Sequence, residues 1–284
     1  MRASTLLCLP PRQREFYGLI HQFAAGQAQP ALTGGQLNAV DTVQVDGSAD
    51  FLLVGHAAMA TSLQAKVQFD ISGGINFHQD KIFLSGLGSG YFPQWIDPPR
   101  LIPRGTAAFR ALVDDRQLVP AANTIRILHI GMKVLARPRP ALYYESQEPY
   151  KYLADFTDQG PTGGAIGANK ALSLPVGINS DADFEIQKIA ILSDGDLTLD
   201  ILATSDTLSW FSRPCHTQLL GGTTIEAIGP GLFSGAWPFR LPGRKFVPAV
   251  GAIQVTATDL TGASNRAQVI FIGRKLRPPG GIQS

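Results

Sequence analysis

The chain has 284 residues, of which 44% are apolar and 16% charged, with a formal net charge of +2. That length points to two domains, and the apolar fraction excludes wholesale disorder. The small net charge excludes the strong positive field of a dedicated nucleic-acid binder, and two cysteines, Cys8 and Cys215, exclude a disulfide framework or a four-thiolate zinc site by count.

Thirty glycines and twenty prolines are spread along the whole length, which means frequent chain reversals and little room for long helices. An all-β protein is expected. At the N-terminus the apolar stretch Leu6 to Leu9 is stopped by Pro10 and Pro11 before it becomes a signal-peptide core, so nothing directs secretion. Arg12 to Ala25 is the main helical candidate, with Tyr17, Ile20 and Phe23 at near-helical spacing; one short helix or none is expected there. The most apolar window, Phe51 to Ala60, contains Gly55 and His56 and falls far short of the ~20 residues a membrane helix requires. Strand signals follow at Phe51–Val54, Ala65–Ile71, Phe109–Val113 and Ile125–Ile130, separated by Gly/Pro turns.

Arg137-Pro138-Arg139-Pro140 reads as a linker, because prolines fix φ and withhold the amide protons a ladder needs. Beyond it, Ala182 to Leu192 alternates apolar and polar residues, with a phase slip at Lys188 that suggests a bulge. Asp194-Gly195-Asp196 is turn chemistry, and the alternation of Leu197, Leu199 and Ile201 predicts a hairpin partner. Ile253, Val255 and Ala257, the loop Asp259 to Asn265, and Gln268 to Ile272 predict a second hairpin.

The strands repeat. A shift of 133 residues superposes Tyr17 on Tyr150, Phe23 on Phe156, Gly34 on Gly167, Val43 on Val176 and Ala49-Asp50-Phe51 on Ala182-Asp183-Phe184. Further matches keep the same order: Gly90-Tyr91-Phe92 with Gly231-Leu232-Phe233, Trp95 with Trp237, and Arg100-Leu101 with Arg240-Leu241. At the end, Asn123 and Ile127 to Lys133 match Asn265 and Val269 to Lys275 at a shift of 142. In the middle, Pro103/Pro248 and Asp114/Asp259 imply 145, whereas alternation around Phe109 prefers 144. The expected organisation is an N-terminal arm over 1–15, a β-sandwich or jelly-roll-like module over 16–136, a proline-rich linker over 137–148, a structurally similar module over 149–277 and a tail over 278–284.

Catalytic signatures are missing from the string. Gly86-Leu87-Gly88-Ser89-Gly90 puts its serine in the wrong place for a nucleophile elbow and reads as a flexible loop. There is no phosphate-cradling Gly-rich loop and no His-Glu-x-x-His. His21, His56, His78, His129 and His216 stand singly, as scattered surface or satisfied core residues would. Asp194, Asp196 and Asp200 are the nearest thing to a cation site, but turn chemistry explains them. No metal, cofactor or enzymatic activity is expected.

The candidate contact residues are Trp95 and Trp237, whose recurrence argues for core or subunit-contact anchors and whose alternative is an aromatic sugar platform, and Phe92 and Phe233, which with Pro93 and Pro238 suit loop tips that bury themselves in a partner. Arg12, Arg14, Lys133, Arg137, Arg139, Arg274, Lys275 and Arg277 form basic ends. They are candidates for meeting acidic surfaces of neighbouring subunits or packaged nucleic acid; a solvated guard on an outer strand is the other reading.

Taken together, an opening aromatic segment, an Ala-Asp-Phe strand, a Gly-x-Phe loop, an Arg-Leu-Pro stretch and a closing Asn with an apolar-Gly-x-Lys strand resemble structural proteins of bacteriophage virions. The resemblance spans nearly the whole chain. It implies a virion component made in the host cytoplasm, with no membrane or specific nucleic-acid partner. Its place would be in capsid decoration or cementing, as a minor capsid protein, or at the head-to-tail junction. It also implies self-association, as a trimer for example, and contact with other virion proteins. The tandem pair is similar to double jelly-roll major capsid proteins, although neither module shows their long helix. A receptor- or glycan-binding tail or fibre module remains the alternative.

Overall fold

The computed structural model describes residues 14–71, 75–77, 80–106, 108–117, 121–134, 146–157, 166–206, 209–222 and 238–277. The chain divides into two compact units, Met1–Arg137 and Pro138–Ser284. In the first, the strands are β1 (Arg14–Phe23), β2 (Ala39–Val43), β3 (Asp50–Ala60), β4 (Ala65–Ile71), β5 (Ile75–Asn76), β6 (Ile82–Phe83), β7 (Gln94–Ile102), β8 (Phe109–Asp115) and β9 (Ile125–Val134). One sheet has the order β1-β9-β3-β7 and the other β2-β8-β4-β5, with β6 also on β4. The second unit contains β10 (Ser146–Asp155), β11 (Ala171–Gly177), β12 (Asp183–Ser193), β13 (Leu197–Ala203), β14 (Cys215–His216), β15 (Phe239–Val247), β16 (Ala252–Asp259) and β17 (Ala267–Arg277). Its sheets run β10-β17-β12-β15 and β11-β16-β13-β14, the same order except that β4 pairs with two short strands, β5 and β6, where β13 pairs with β14 at the rungs of β6. This is the eight-stranded jelly roll, built twice. Its strands begin inside the segment read as linker, at Ser146.

Both expected hairpins are corrected. β13 pairs with β16 and β14, whereas β12 pairs with β15 and β17, so the turn Asp194–Asp196 carries the chain from one sheet to the opposing one. β16 and β17 are divided between sheets in the same way. An alternating strand buries its apolar face equally well beside its neighbour or across a sandwich from it, so local pattern cannot tell the two apart. Of the one short helix or none expected over Arg12 to Ala25, the described residues hold none: β1 is extended and pairs with β9 from Arg14↔Val134 to Phe23↔Ile125. Tyr17, Leu19 and Phe23 join the core of the sandwich, while Phe16 and Ile20 on the opposite face are buried too. Burial of both faces gave the segment its near-helical spacing.

Ladder partners resolve the register of the repeat. Tyr17 faces Gly131 and Tyr150 faces Gly273, which supports shifts of 133 and 142 at the two ends. Phe51 faces Ile102 and Phe184 faces Val247, so β7 and β15 are 145 apart; Val43 faces Phe109 and Val176 faces Ile253, so β8 and β16 are 144 apart. Each of the competing middle registers therefore holds for one strand. Gly55 faces Trp95 and Lys188 faces Arg240, so the ladder equivalent of Trp95 is Arg240 and the equivalent of Arg100 is Lys245. The Trp95/Trp237 and Arg100/Arg240 matches fail because the second module is longer between Gly221 and β15. Similar letters in that longer connection do not occupy the same rungs.

The anticipated bulge is present in both copies. The ladder slips between Leu53 and Gly55 in β3 and between Ile186 and Lys188 in β12. Opposite it stand Gly131 and Gly273. A Cβ at Gly131 would lie 2.6 Å from the Leu52 carbonyl oxygen and on the Phe51 ring, and one at Gly273 would lie on the Glu185 carbonyl oxygen. Glycine is needed here for close approach between central strands, not for its turn conformation.

Two residues beyond each glycine a lysine turns back across the mouth of the sandwich. Lys133 Nζ lies 2.7 Å from Asp46 and 4.1 Å from the centre of the Tyr17 ring. Lys275 Nζ lies 3.0 Å from both oxygens of Asp181 and 4.2 Å from the Tyr150 ring. Burial alone would raise the Asp46 carboxyl, but hydrogen bonds from Lys133 and Ser48 hold it down at about 2. Burial, with the Asp46 charge, pushes the Tyr17 hydroxyl up to about 12.

Two predictions follow from these contacts. Gly131→Ala and Gly273→Ala should each lower unfolding stability in urea by about 3 kcal/mol, as overpacking against backbone does. Gly47→Ala, where nothing lies within 4 Å of the added methyl, should change it by less than about 0.5 kcal/mol. Lys133→Met should move the Asp46 titration, followed by carboxyl NMR, upward from about 2. A carboxylate depressed in the folded state stabilises above its unfolded pKa, and that stability is lost as pH falls through the folded value. The variant should therefore lose its acid limb at higher pH than the parent.

Candidate functional site

Two places concentrate side chains that the fold alone does not require. The first is a buried imidazole cluster in the first unit. His56 on β3 and His129 on β9 are ladder partners across the central pair of strands, and their Nδ1 atoms are 2.9 Å apart. His21 on β1 shares their inner face, with its ring centre 5.0 Å from that of His129. Phe69 and Phe109 close over them from the opposing sheet, 4.7 and 4.6 Å from His129 between ring centres. Asp41 of β2 reaches in from the same side. Its Oδ2 lies 3.3 Å from His21 Nδ1 and accepts the Gln22 backbone N–H, while Oδ1 accepts the Thr42 N–H.

All three rings and Asp41 are buried from solvent. A contact of 2.9 Å between two ring nitrogens needs one N–H donor and one lone pair, so one of the two rings is neutral there. His21, His56 and His129 thus do not stand singly as the string suggested. Alternation on β1, β3 and β9 would have put each on an inner face, but their convergence depends on β9 inserting between β1 and β3. His216 is buried at β14, and His78 lies outside the described residues.

The second place is an aromatic surface on the same unit. Phe92 is 78% exposed and Trp95 55%, with exposed Tyr91 and Phe83 in the same stretch of chain. Leu84–Leu87 form a 3-10 turn capped by Gly88 at φ +74°, where a Cβ would strike the Phe92 carbonyl. Ser89 and Phe92 then close on each other, the Ser89 N–H donating to the Phe92 carbonyl at 3.1 Å. The Gly-Ser-Gly stretch read as a flexible loop is a hydrogen-bonded turn that holds Phe92 outward. The indole of Trp95 lies against Gly55, which leaves no room there for a side chain.

The other candidates are placed as follows. Phe233, Trp237, Arg12, Arg137 and Arg139 lie outside the described residues. Arg274 pairs with Glu185 at 2.6 Å, and Arg244 holds the other oxygen of that carboxylate at 2.7 Å, so Glu185 stays below its ordinary value despite its burial. Lys275 is the buried clamp on Asp181, and Arg277 reaches Glu148 and Asp181. These three residues and Lys133 sit on β17 and β9, which are interior strands, so the outer-strand guard reading does not hold for them. Asp194, Asp196 and Asp200 go to separate partners: Arg266, the Gln218 amide and the Ser209 hydroxyl. Among the described residues no group of three His, Cys, Asp or Glu is arranged to hold a metal ion.

Sequence reasoning passed over Trp210. It is buried in the second unit, donates its indole N–H to Asp206 at 3.0 Å, and meets Phe271 edge-on at 5.9 Å between ring centres. Asp206 also holds Lys245, 2.9 Å away.

No family model and no curated protein matches the chain. Among solved structures, a chain from Sulfolobus Turreted Icosahedral Virus is 10% identical with a TM-score of 0.19, and 93% of each chain is covered. Recombinant N-glycanase F (PNGase F) is 9% identical with a TM-score of 0.23, covering 96% of this chain and 98% of that one. A chain of infectious bursal disease virus, Gx strain, is 9% identical with a TM-score of 0.20, covering 94% and 71%. The jelly-roll assignment rests on strand order.

Proposed function

We propose that this chain is a structural component of a virus particle, a non-enzymatic building block that works by binding copies of itself and neighbouring subunits. Within that reading we assign it to a phage virion, in capsid decoration or cementing, as a minor capsid protein, or at the head-to-tail junction. The observation that carries the proposal is the tandem jelly roll, with both sheets, the central bulge and the lysine clamp repeated rung for rung. Jelly rolls serve as capsid and lectin walls, and the warrant is architectural analogy. The exposure of Phe83, Tyr91, Phe92 and Trp95 adds support, since large exposed aromatics are the anchors that association buries.

A second reading, a glycan-binding tail or fibre module, draws on the same exposure of Trp95 and Tyr91, which suits stacking on sugar rings. The two diverge in solution. For the building block, light scattering after size exclusion should show a closed oligomer. Phe92→Ala with Trp95→Ala should dissociate it while changing monomer stability by less than about 0.5 kcal/mol, as surface substitutions do. For the glycan reader, the chain should stay monomeric and lose glycan-array signal in Trp95→Ala. Mass spectrometry of purified particles, with electron microscopy, decides the virion assignment. Absence of the chain from particles removes it, and its copy number separates a major capsid subunit from a minor one.

A further inference from the structure

Resting on the building-block reading, we infer that copies of this chain join head to tail: the exposed aromatic turn on the first module of one copy seats on a row of cations that crosses the second module of the next.

The two modules share a rung across the sheet that carries the bulge, and they fill it differently. In the first module the rung reads Gly18, Ile130, Gly55 and Trp95 across β1, β9, β3 and β7. In the second it reads Lys151, Ile272, Lys188 and Arg240 across β10, β17, β12 and β15. The isoleucine is kept, and each of the other three positions holds a cation. Their chain neighbours Tyr152, Ile189 and Phe239 are buried, so strand alternation turns the three cations outward, where all are exposed.

The sheet itself gains nothing from this row. Lys188 and Arg240 are direct ladder partners, with Cα atoms about 5 Å apart, and like charges directly opposite each other destabilise a sheet. Among the described residues no carboxylate pairs with Lys151, Lys188 or Arg240. The first module builds the same rung without charge. A row of mutually repelling cations is relieved by a partner that brings negative potential.

The first module carries that complement. The face of an aromatic ring is negative, and Trp is the best aromatic partner for Arg or Lys. Trp95 and Phe92 are exposed, and Asp97, two residues beyond Trp95, is an exposed carboxylate with no cation paired to it among the described residues. Beside the cations, exposed Leu153 faces Ile270 on the next outer rung and gives apolar ground for Phe92. A nucleic acid suits the row less well, because the described residues of this face offer no exposed aromatic on which bases would stack. Patches on different modules make the contact heterologous, and such contacts close into a ring where the rotation allows.

Light scattering after size exclusion of the full chain tests this. Lys188→Glu with Arg240→Glu should raise the dissociation constant of the oligomer about tenfold or more, as should raising salt from about 50 to about 500 mM. Mixing that variant with Phe92→Ala/Trp95→Ala is the sharper measurement, since each keeps the half that the other has lost. Either alone should run as a monomer, and the mixture should form a single junction, a 1:1 pair of twice the monomer mass. A parent-like oligomer from the double-Glu variant, or a mixture that stays monomeric, would overturn the inference and leave the building-block reading standing. A monomeric parent would remove that reading itself. If the double-Glu variant does not fold, Lys188→Glu alone serves, because it sets opposite charges across the Lys188–Arg240 pair. Its urea midpoint should hold or rise while association weakens, a split that a purely structural role for Lys188 does not give.

Discussion

Each module depends on a close approach between its two central strands. In an antiparallel ladder a bulge adds a residue and tilts the local carbonyls, and in β3 and β12 the tilted carbonyl is pressed toward the neighbouring strand. Only hydrogen can occupy the facing position, which is why Gly131 and Gly273 stand there. The same kink sets which residues of β7 and β15 meet β3 and β12, because both ladders slip at the same place. Tyrosine lies across the ladder from each glycine, and the lysine two positions on spans tyrosine and a loop aspartate. Bulge, glycine, tyrosine and lysine thus act as one device, and it is this device that the duplication copied most faithfully.

The modules differ most in what they place between the sheets. In the second, Trp210 meets Phe271 edge-on, with the Asp206–Lys245 pair beside the indole. The first puts three imidazoles and a carboxylate among phenylalanines. A dry polar group costs stability unless its hydrogen bonds are met, so such a cluster depends on contacts that hydrocarbon does not need.

The outer surfaces differ in a parallel way. The first module holds Phe92 and Trp95 outward by a capped turn and a glycine beneath the indole, which is a rigid presentation and not incidental exposure. The basic residues near the end of the second module are spent within it, on Glu185, Asp181 and Glu148.

The sequence by itself determined the all-β class, the duplication, the bulge near Lys188 and the equivalence of Tyr17 with Tyr150 and of Gly131 with Gly273. These are local or pairwise properties: alternation, turn chemistry and identities at a constant shift survive in a string. It could not say that β12 and β13 face each other across a core instead of lying side by side, since both arrangements bury the same alternating residues. Nor could it place Trp95 against Gly55, because an unequal connection moves the apparent match to Trp237 off the ladder. The meeting of His21, His56 and His129 was decided by tertiary structure alone. It requires the last strand of the module to slot between the first and third, and residues more than a hundred positions apart become neighbours only when the sheet closes.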